Sequence, residues 1–171
     1  NYYGNVNSLP SDEECNKVPT NPYGLSKYCV EQYLELFSNL YELDWVALRY
    51  FNVYGPRMDM EGVYTEVFIR WLDRITKGLS PIIFGHGNQT MDFISAPDIA
   101  RANVLAMKSS STDKILNIAS GTETSLNDLA KMMLELMGSD LKPEYQHERK
   151  VNPVHRRLAN TSRAEREIGF K

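Results

Sequence analysis

Tyr23 and Lys27 stand four residues apart in the run Asn21-Pro22-Tyr23-Gly24-Leu25-Ser26-Lys27. On a helix this spacing puts a phenol and an ammonium on one face, a turn apart. A free tyrosine titrates at about pH 10, too high for a good base near neutrality. A cation nearby favours the phenolate, and Lys27 is placed to supply one. The pair therefore points to proton abstraction from a hydroxyl. Tyr and Lys fall four apart on many helices by chance, so the elements that carry the pair decide its meaning.

Residues 5–22 are rich in Asn, Ser, Pro and acidic side chains and are expected to form a loop. Asn21 as N-cap and Pro22 at the first helical position open a helix over about residues 23–40. Its Tyr33, Leu34, Phe37, Leu40 and Tyr41 form an apolar stripe, expected to bury chiefly against the chain's own sheet. The short run Trp45-Val46-Ala47-Leu48-Arg49-Tyr50 has the pattern of a buried parallel strand, and residues 52–57 follow as a loop. Further on, helices are expected over about residues 65–76, ending at Gly78, and over 97–107. Short extended segments are expected at residues 82–84 and 91–94, with a turn at 85–88 between them. Residues 114–119 give the last clear strand, Ser125 caps a helix that ends at Gly138, and a short helix lies near 162–167. Strands alternating with helices indicate an α/β fold.

The 171 residues suffice for one domain with a real core. A net charge of −3 makes no electrostatic case for nucleic acid or an anionic membrane as partner. No apolar run approaches the roughly 18 residues of a membrane span. Cys15 and Cys29 form no Cys-x-x-Cys and suit a reduced, cytoplasmic protein. His86, His147 and His155 are scattered, and no metal is expected.

Five blocks in order resemble an extended short-chain dehydrogenase/reductase of the UDP-glucose 4-epimerase type. They are the 21–27 run above, Leu48-Arg49-Tyr50-Phe51-Asn52-Val53-Tyr54-Gly55-Pro56-Arg57, Asp92-Phe93-Ile94 with Asp98-Ile99-Ala100, Asn117-Ile118-Ala119-Ser120-Gly121, and Thr161-Ser162-Arg163-Ala164. The resemblance covers nearly the whole chain. It implies the C-terminal part of a Rossmann-type doubly wound sheet plus a small substrate-binding domain. Residues 1–57 would belong to the dinucleotide-binding part, and 58–171 mainly to the substrate domain, with about 97–120 returning to the sheet. It also implies NAD as cofactor and a UDP-linked nucleotide sugar as substrate. Tyr23 would be the base and Lys27 would hold the cofactor ribose, while Tyr50 and Phe51 would lie beside the nicotinamide. Asn52 would touch the sugar diphosphate, Ile82 and Phe84 would flank the base partly through backbone groups, and Arg149 would meet the diphosphate, with Arg157 as its rival. In the family the Tyr-bearing helix pairs with its counterpart, which implies a homodimer or another association through exposed helix or sheet surface.

The sequence also departs from that pattern. No glycine-rich strand–turn–helix unit is present, and Gly85-His86-Gly87-Asn88-Gln89-Thr90 does not replace it. The Ser or Thr that family members place shortly before the Tyr-Gly resembling Tyr3-Gly4 would fall before Asn1. A truncated chain is the expected cause, and the chain alone is expected neither to bind NAD tightly nor to turn over a nucleotide sugar. Met91 stands where the family often has a phosphate-binding Arg. Asn1 stands where related 4,6-dehydratases carry the Glu of an Asp-Glu pair, which favours an epimerase. A dehydratase or reductase of the same superfamily is the second expectation, and a non-catalytic nucleotide-sugar binding or docking module the third.

Overall fold

Asn21 and Pro22 start the first helix as their chemistry dictates. In the computed structural model, which describes residues 2–4, 8–59, 67–110, 115–148 and 155–171, the Asn21 side chain accepts the Gly24 N–H at 2.8 Å. Helix α1 spans Pro22–Tyr41. Five residues connect it to strand β1 (Ala47–Tyr50), so the helix runs back along that strand. Midway along the helix, Glu31 meets Arg49 of β1 through two bonds of 2.8 Å.

Strand β1 pairs in parallel with β5 (Ile115–Ile118), with Arg49 opposite Asn117. The pairing ends where Phe51 donates its N–H to the Ile118 carbonyl at 3.1 Å. One residue later the chain changes partner. Strand β2 (Asn52–Tyr54) pairs in parallel with β4 (Thr90–Ser95), and β4 pairs antiparallel with β6 (Glu123–Ser125). The chain thus forks at Phe51, between the carboxyl ends of two parallel strands. A third pair joins β3 (Ile82–Phe84) to β7 (Glu144–Gln146).

Helices α2 (Val67–Thr76) and α4 (Leu126–Leu136) close one core around Trp71, Ile83, Leu129 and Met133. Helices α3 (Ala96–Lys108) and α5 (Ser162–Ile168) close another around Ile94, Leu116, Ile118 and Phe170. Each fully buried aliphatic side chain there contributes about 1.5–3 kcal/mol. Ser125 caps α4 as expected, accepting the Asp128 N–H at 3.0 Å, and Ser95 caps α3 in the same way. The N-terminal loop is held by the tail: Ser11 donates its N–H to Leu158 and accepts that of Asn160, both at 2.8 Å.

Several expectations need correction. Residues 52–54 form a strand, because β4 offers a free edge to a segment whose Asn and Gly-Pro neighbours suggested a loop. The strand at 115–118 is not the last: β6 and β7 follow it. The run at 45–50 is only half-buried, and its one buried residue is Arg49, not an apolar one. The stripe on α1 stays largely uncovered, with only Leu34 half-buried. Tyr33, Phe37, Leu40 and Tyr41 are exposed, and the only buried residues of the helix are Gly24 and Glu31. Among the described residues, no helix is long and apolar enough to cross a membrane.

Candidate active site at the strand fork

Tyr23 and Lys27 share the first turns of α1, with the Lys27 Nζ 5.3 Å from the centre of the Tyr23 ring. Both side chains are exposed, Tyr23 at 51%. Ser26 between them is not a second proton-transfer group, since its hydroxyl donates to the Tyr23 carbonyl at 2.8 Å.

Alternation along β1 sends successive side chains to opposite faces. Arg49 meets α1 through Glu31, whereas the Tyr50 hydroxyl meets Asn103 of α3 at 3.0 Å. Phe51 returns to the first side, its ring 6.4 Å from that of Tyr3. Tyr50 and Phe51 are therefore not brought to one face, although both stand at the fork. Asn52 follows, half-buried and opposite Phe93.

On the other prong sits Asp92, fully buried. Its carboxylate accepts from the Ser120 N–H at 2.8 Å, the Ser120 hydroxyl at 2.7 Å, the Gly121 N–H at 3.1 Å and the Ala159 N–H at 3.2 Å. Burial pushes its carboxyl up, and these donors oppose the shift. Asp92 thus shapes the loop after β5 at the mouth of the fork. Next to it, Met91 packs with the core of α2 and α4, so the thioether is an apolar packing group at the usual arginine position.

Ile82 and Phe84 lie on β3, both half-buried. Their carbonyls already accept from the Trp71 indole and the Gln89 amide, each at 2.8 Å. Arg157 is half-buried, and its N–H donates to the Thr90 carbonyl at 3.2 Å. Its neighbour Arg156 grips Glu123 through two bonds of 2.8 and 2.7 Å, and these hold the Glu123 carboxyl below the usual range. Arg149 lies outside the described residues.

Sequence reasoning missed the most heavily bonded group near the fork. Arg49 sends two parallel bonds of 2.8 Å to Glu31, and others to the hydroxyls of Tyr2 at 3.0 Å and Tyr3 at 2.7 Å and to the Glu13 carbonyl at 3.0 Å. The Tyr3 hydroxyl in turn donates to the Asn117 side-chain oxygen at 2.6 Å. The available signal was an arginine inside an otherwise apolar strand, a residue type almost never buried unless paired.

An α/β fold whose Tyr-x-x-x-Lys helix is bonded to a parallel strand has the pattern of the short-chain dehydrogenase/reductase class, and in open α/β sheets ligands bind outside the carboxyl ends of the strands at a switch point. Comparison narrows the class. The chain belongs to the NAD dependent epimerase/dehydratase family, whose model matches residues 1–119. A putative UDP-glucose 4-epimerase of Methanocaldococcus jannaschii is 40% identical over 169 residues, 99% of this chain and 54% of that protein. Among solved structures, a UDP-N-acetylglucosamine 4-epimerase from Methanobrevibacter ruminantium, in complex with UDP-N-acetylmuramic acid, superposes with a TM-score of 0.94 at 37% identity. It is covered to 54%, and this chain to 99%. A UDP-glucose 4-epimerase from Thermotoga maritima with UDP-glucose gives 0.93 at 36% identity, with the same coverage of both chains. The chain thus spans about half the length of the relatives it matches.

Proposed function

We infer that the chain supplies the catalytic and substrate-holding part of an NAD-dependent nucleotide-sugar 4-epimerase. The observation that supports this reading is the exposed Tyr23–Lys27 pair, ammonium 5.3 Å from the phenol ring, on a helix whose Glu31 is bonded to Arg49 just before Tyr50 and Phe51. Tyr23 is the proposed base for a sugar hydroxyl, and Lys27 steadies the phenolate that results. When bound, NAD would supply the hydride chemistry at the sugar carbon, and Lys27 is the residue proposed to hold its ribose. The residues present fit the ribose end of that cofactor: an exposed phenol and an exposed ammonium on one helix face. The pyrophosphate needs a glycine-rich turn that the 171 residues do not contain.

Asn52 is the proposed contact to the sugar diphosphate. Ile82 and Phe84 are proposed to bracket the nucleotide base through their side chains, their carbonyls being engaged elsewhere. Arg149 and Arg157 are the proposed phosphate partners, because a guanidinium fork matches phosphate oxygens. The exposed stripe of α1 is proposed to pair with a second copy, and free Cys15 and Cys29 support a reduced, cytoplasmic setting.

Calorimetric titration of the chain with UDP tests the substrate half of this reading. Binding that Phe84→Ala weakens is expected, and no binding at millimolar UDP overturns it. The chemistry is tested in a chimera in which this chain replaces the matching stretch of the Methanocaldococcus jannaschii relative, supplied with NAD and UDP-glucose. Release of UDP-galactose marks an epimerase, and a 4-keto-6-deoxy product marks a dehydratase. Tyr23→Phe should cut turnover by about 10²- to 10⁴-fold while leaving UDP binding intact. A chimera whose turnover survives that substitution excludes Tyr23 as the base.

A further inference from the structure

The role of Arg49 follows from what holds α1 in place. A twenty-residue helix normally docks through an apolar stripe. Here most of the apolar stripe is exposed, with only Leu34 half-buried, and the fully buried residues are a glycine and a glutamate. The carboxylate of Glu31 is met side-on by the Arg49 guanidinium, Nε to Oε1 and Nη2 to Oε2, both at 2.8 Å. The two side chains are 9% and 7% exposed. The Tyr2 hydroxyl also donates to Glu31.

Such a pair is weak evidence for stability, because desolvating both charges offsets most of their attraction. Its distinctive property is geometric. Apolar surfaces slide past one another at little cost, whereas a bidentate fork fixes both distance and angle. The fork itself is also fixed. The guanidinium carbon lies 4.5 Å from the centre of the Tyr2 ring and 5.1 Å from that of Tyr3, and Nη1 is bonded to the Tyr3 hydroxyl and the Glu13 carbonyl. Opposite Arg49 in the ladder, Asn117 receives the Tyr3 hydroxyl and donates its own N–H to Glu13 at 2.7 Å.

The two ends of this device are the two halves of the site. Glu31 stands one turn beyond Lys27 and two beyond Tyr23, on the same slowly drifting line of the helix. Arg49 stands immediately before Tyr50 and Phe51, and its partner Tyr3 also touches Phe51. We propose that Arg49 and Glu31 are positioning residues: their bidentate pair sets the height and angle of the Tyr23–Lys27 helix above the strand fork. The inference rests on the reading of the fork as the reacting centre, but its geometric content is independent of it.

The test has two arms. In the first, the chain carries Cys15→Ser and Met107→Cys, and spin labels on Cys29 of α1 and on the new thiol of α3 report the distance between the two helices by pulsed electron resonance. The apolar pair Glu31→Leu with Arg49→Met removes the fork without leaving an orphaned charge. In a variant that still melts cooperatively, the distance distribution should broaden, or its centre should move by about 1.5 Å or more, one residue's rise along a helix. An unchanged distribution in the folded variant overturns the proposal. Should that pair fail to fold, Arg49→Lys, which keeps the charge and loses the fork, carries the measurement with the same two outcomes. In the second arm, Arg49→Lys in the chimera should lower kcat by about 10- to 100-fold with KM for UDP-glucose unchanged. A kcat equal to that of the parent overturns it, as does a loss that merely tracks the fall in melting temperature. The first arm needs no substrate, so failure of the epimerase reading leaves it intact, and the reverse holds for Tyr23→Phe.

Discussion

The Asp92 carboxylate accepts the backbone N–H of Ala159 across 67 residues of sequence, at 3.2 Å. The same carboxylate gathers two N–H groups from the loop after β5. A carboxylate is suited to this because it is acceptor-only. An Asn amide would turn a donor towards backbone donors. Asp92→Asn leaves at least one N–H without a partner, either that of Ser120 or those of Gly121 and Ala159, at about 1–3 kcal/mol for each orphaned group. Urea unfolding should show a loss of roughly 3 kcal/mol. A variant with the parent's midpoint and slope would refute this account.

Tyr3 gives the fold an alkaline limit. Burial, opposed by the Arg49 charge, pushes its phenol up to about 12. The ordinary value for an unfolded chain is about 10. Below pH 10 both states keep the proton, and the contribution of Tyr3 is complete. As pH rises from 10 towards 12 the unfolded chain loses the proton and the folded chain keeps it, so stability falls. Above 12 that contribution is gone. Two units correspond to roughly 2–3 kcal/mol. Urea midpoints measured from pH 9 to 12 should therefore fall more steeply in the parent than in Tyr3→Phe. Tyr2, also raised by burial, keeps some slope in both. Parallel curves would remove Tyr3 as a cause.

What the sequence makes legible here is local or periodic. Asn21-Pro22 and Ser125 specify their caps through bonds to residues three positions away, so those helix starts can be read directly. Strands β6 and β7 cannot be read in this way. Glu123-Thr124-Ser125 and Glu144-Tyr145-Gln146 carry no apolar alternation, and each is a strand only because β4 or β3 lies beside it. The same holds within the site. The Tyr23–Lys27 spacing is visible in one turn of helix, but the partner of Arg49 lies 18 residues away and its clamp comes from Tyr2 and Tyr3. A charged side chain gives no sign of its burial until its counter-charge is located.

An apolar stripe states that a helix face is to be covered, and leaves open by what. On α1, Tyr33, Phe37, Leu40 and Tyr41 are between 47% and 69% exposed. The Phe37 and Tyr41 rings lean on each other with centroids 5.4 Å apart, which joins them into one surface. A contiguous apolar patch of this kind marks an interaction site, and self-association is the expected behaviour of the isolated chain. Sedimentation velocity at about 100 μM should show a species larger than the 19.6 kDa monomer. Phe37→Lys with Tyr41→Lys should shift it towards the monomer, because two like charges facing their copies oppose pairing. Both positions are exposed, so far-UV circular dichroism should not change. A parent chain that sediments as a monomer, or a lysine variant that still associates, would show that this face is covered by something other than its own copy.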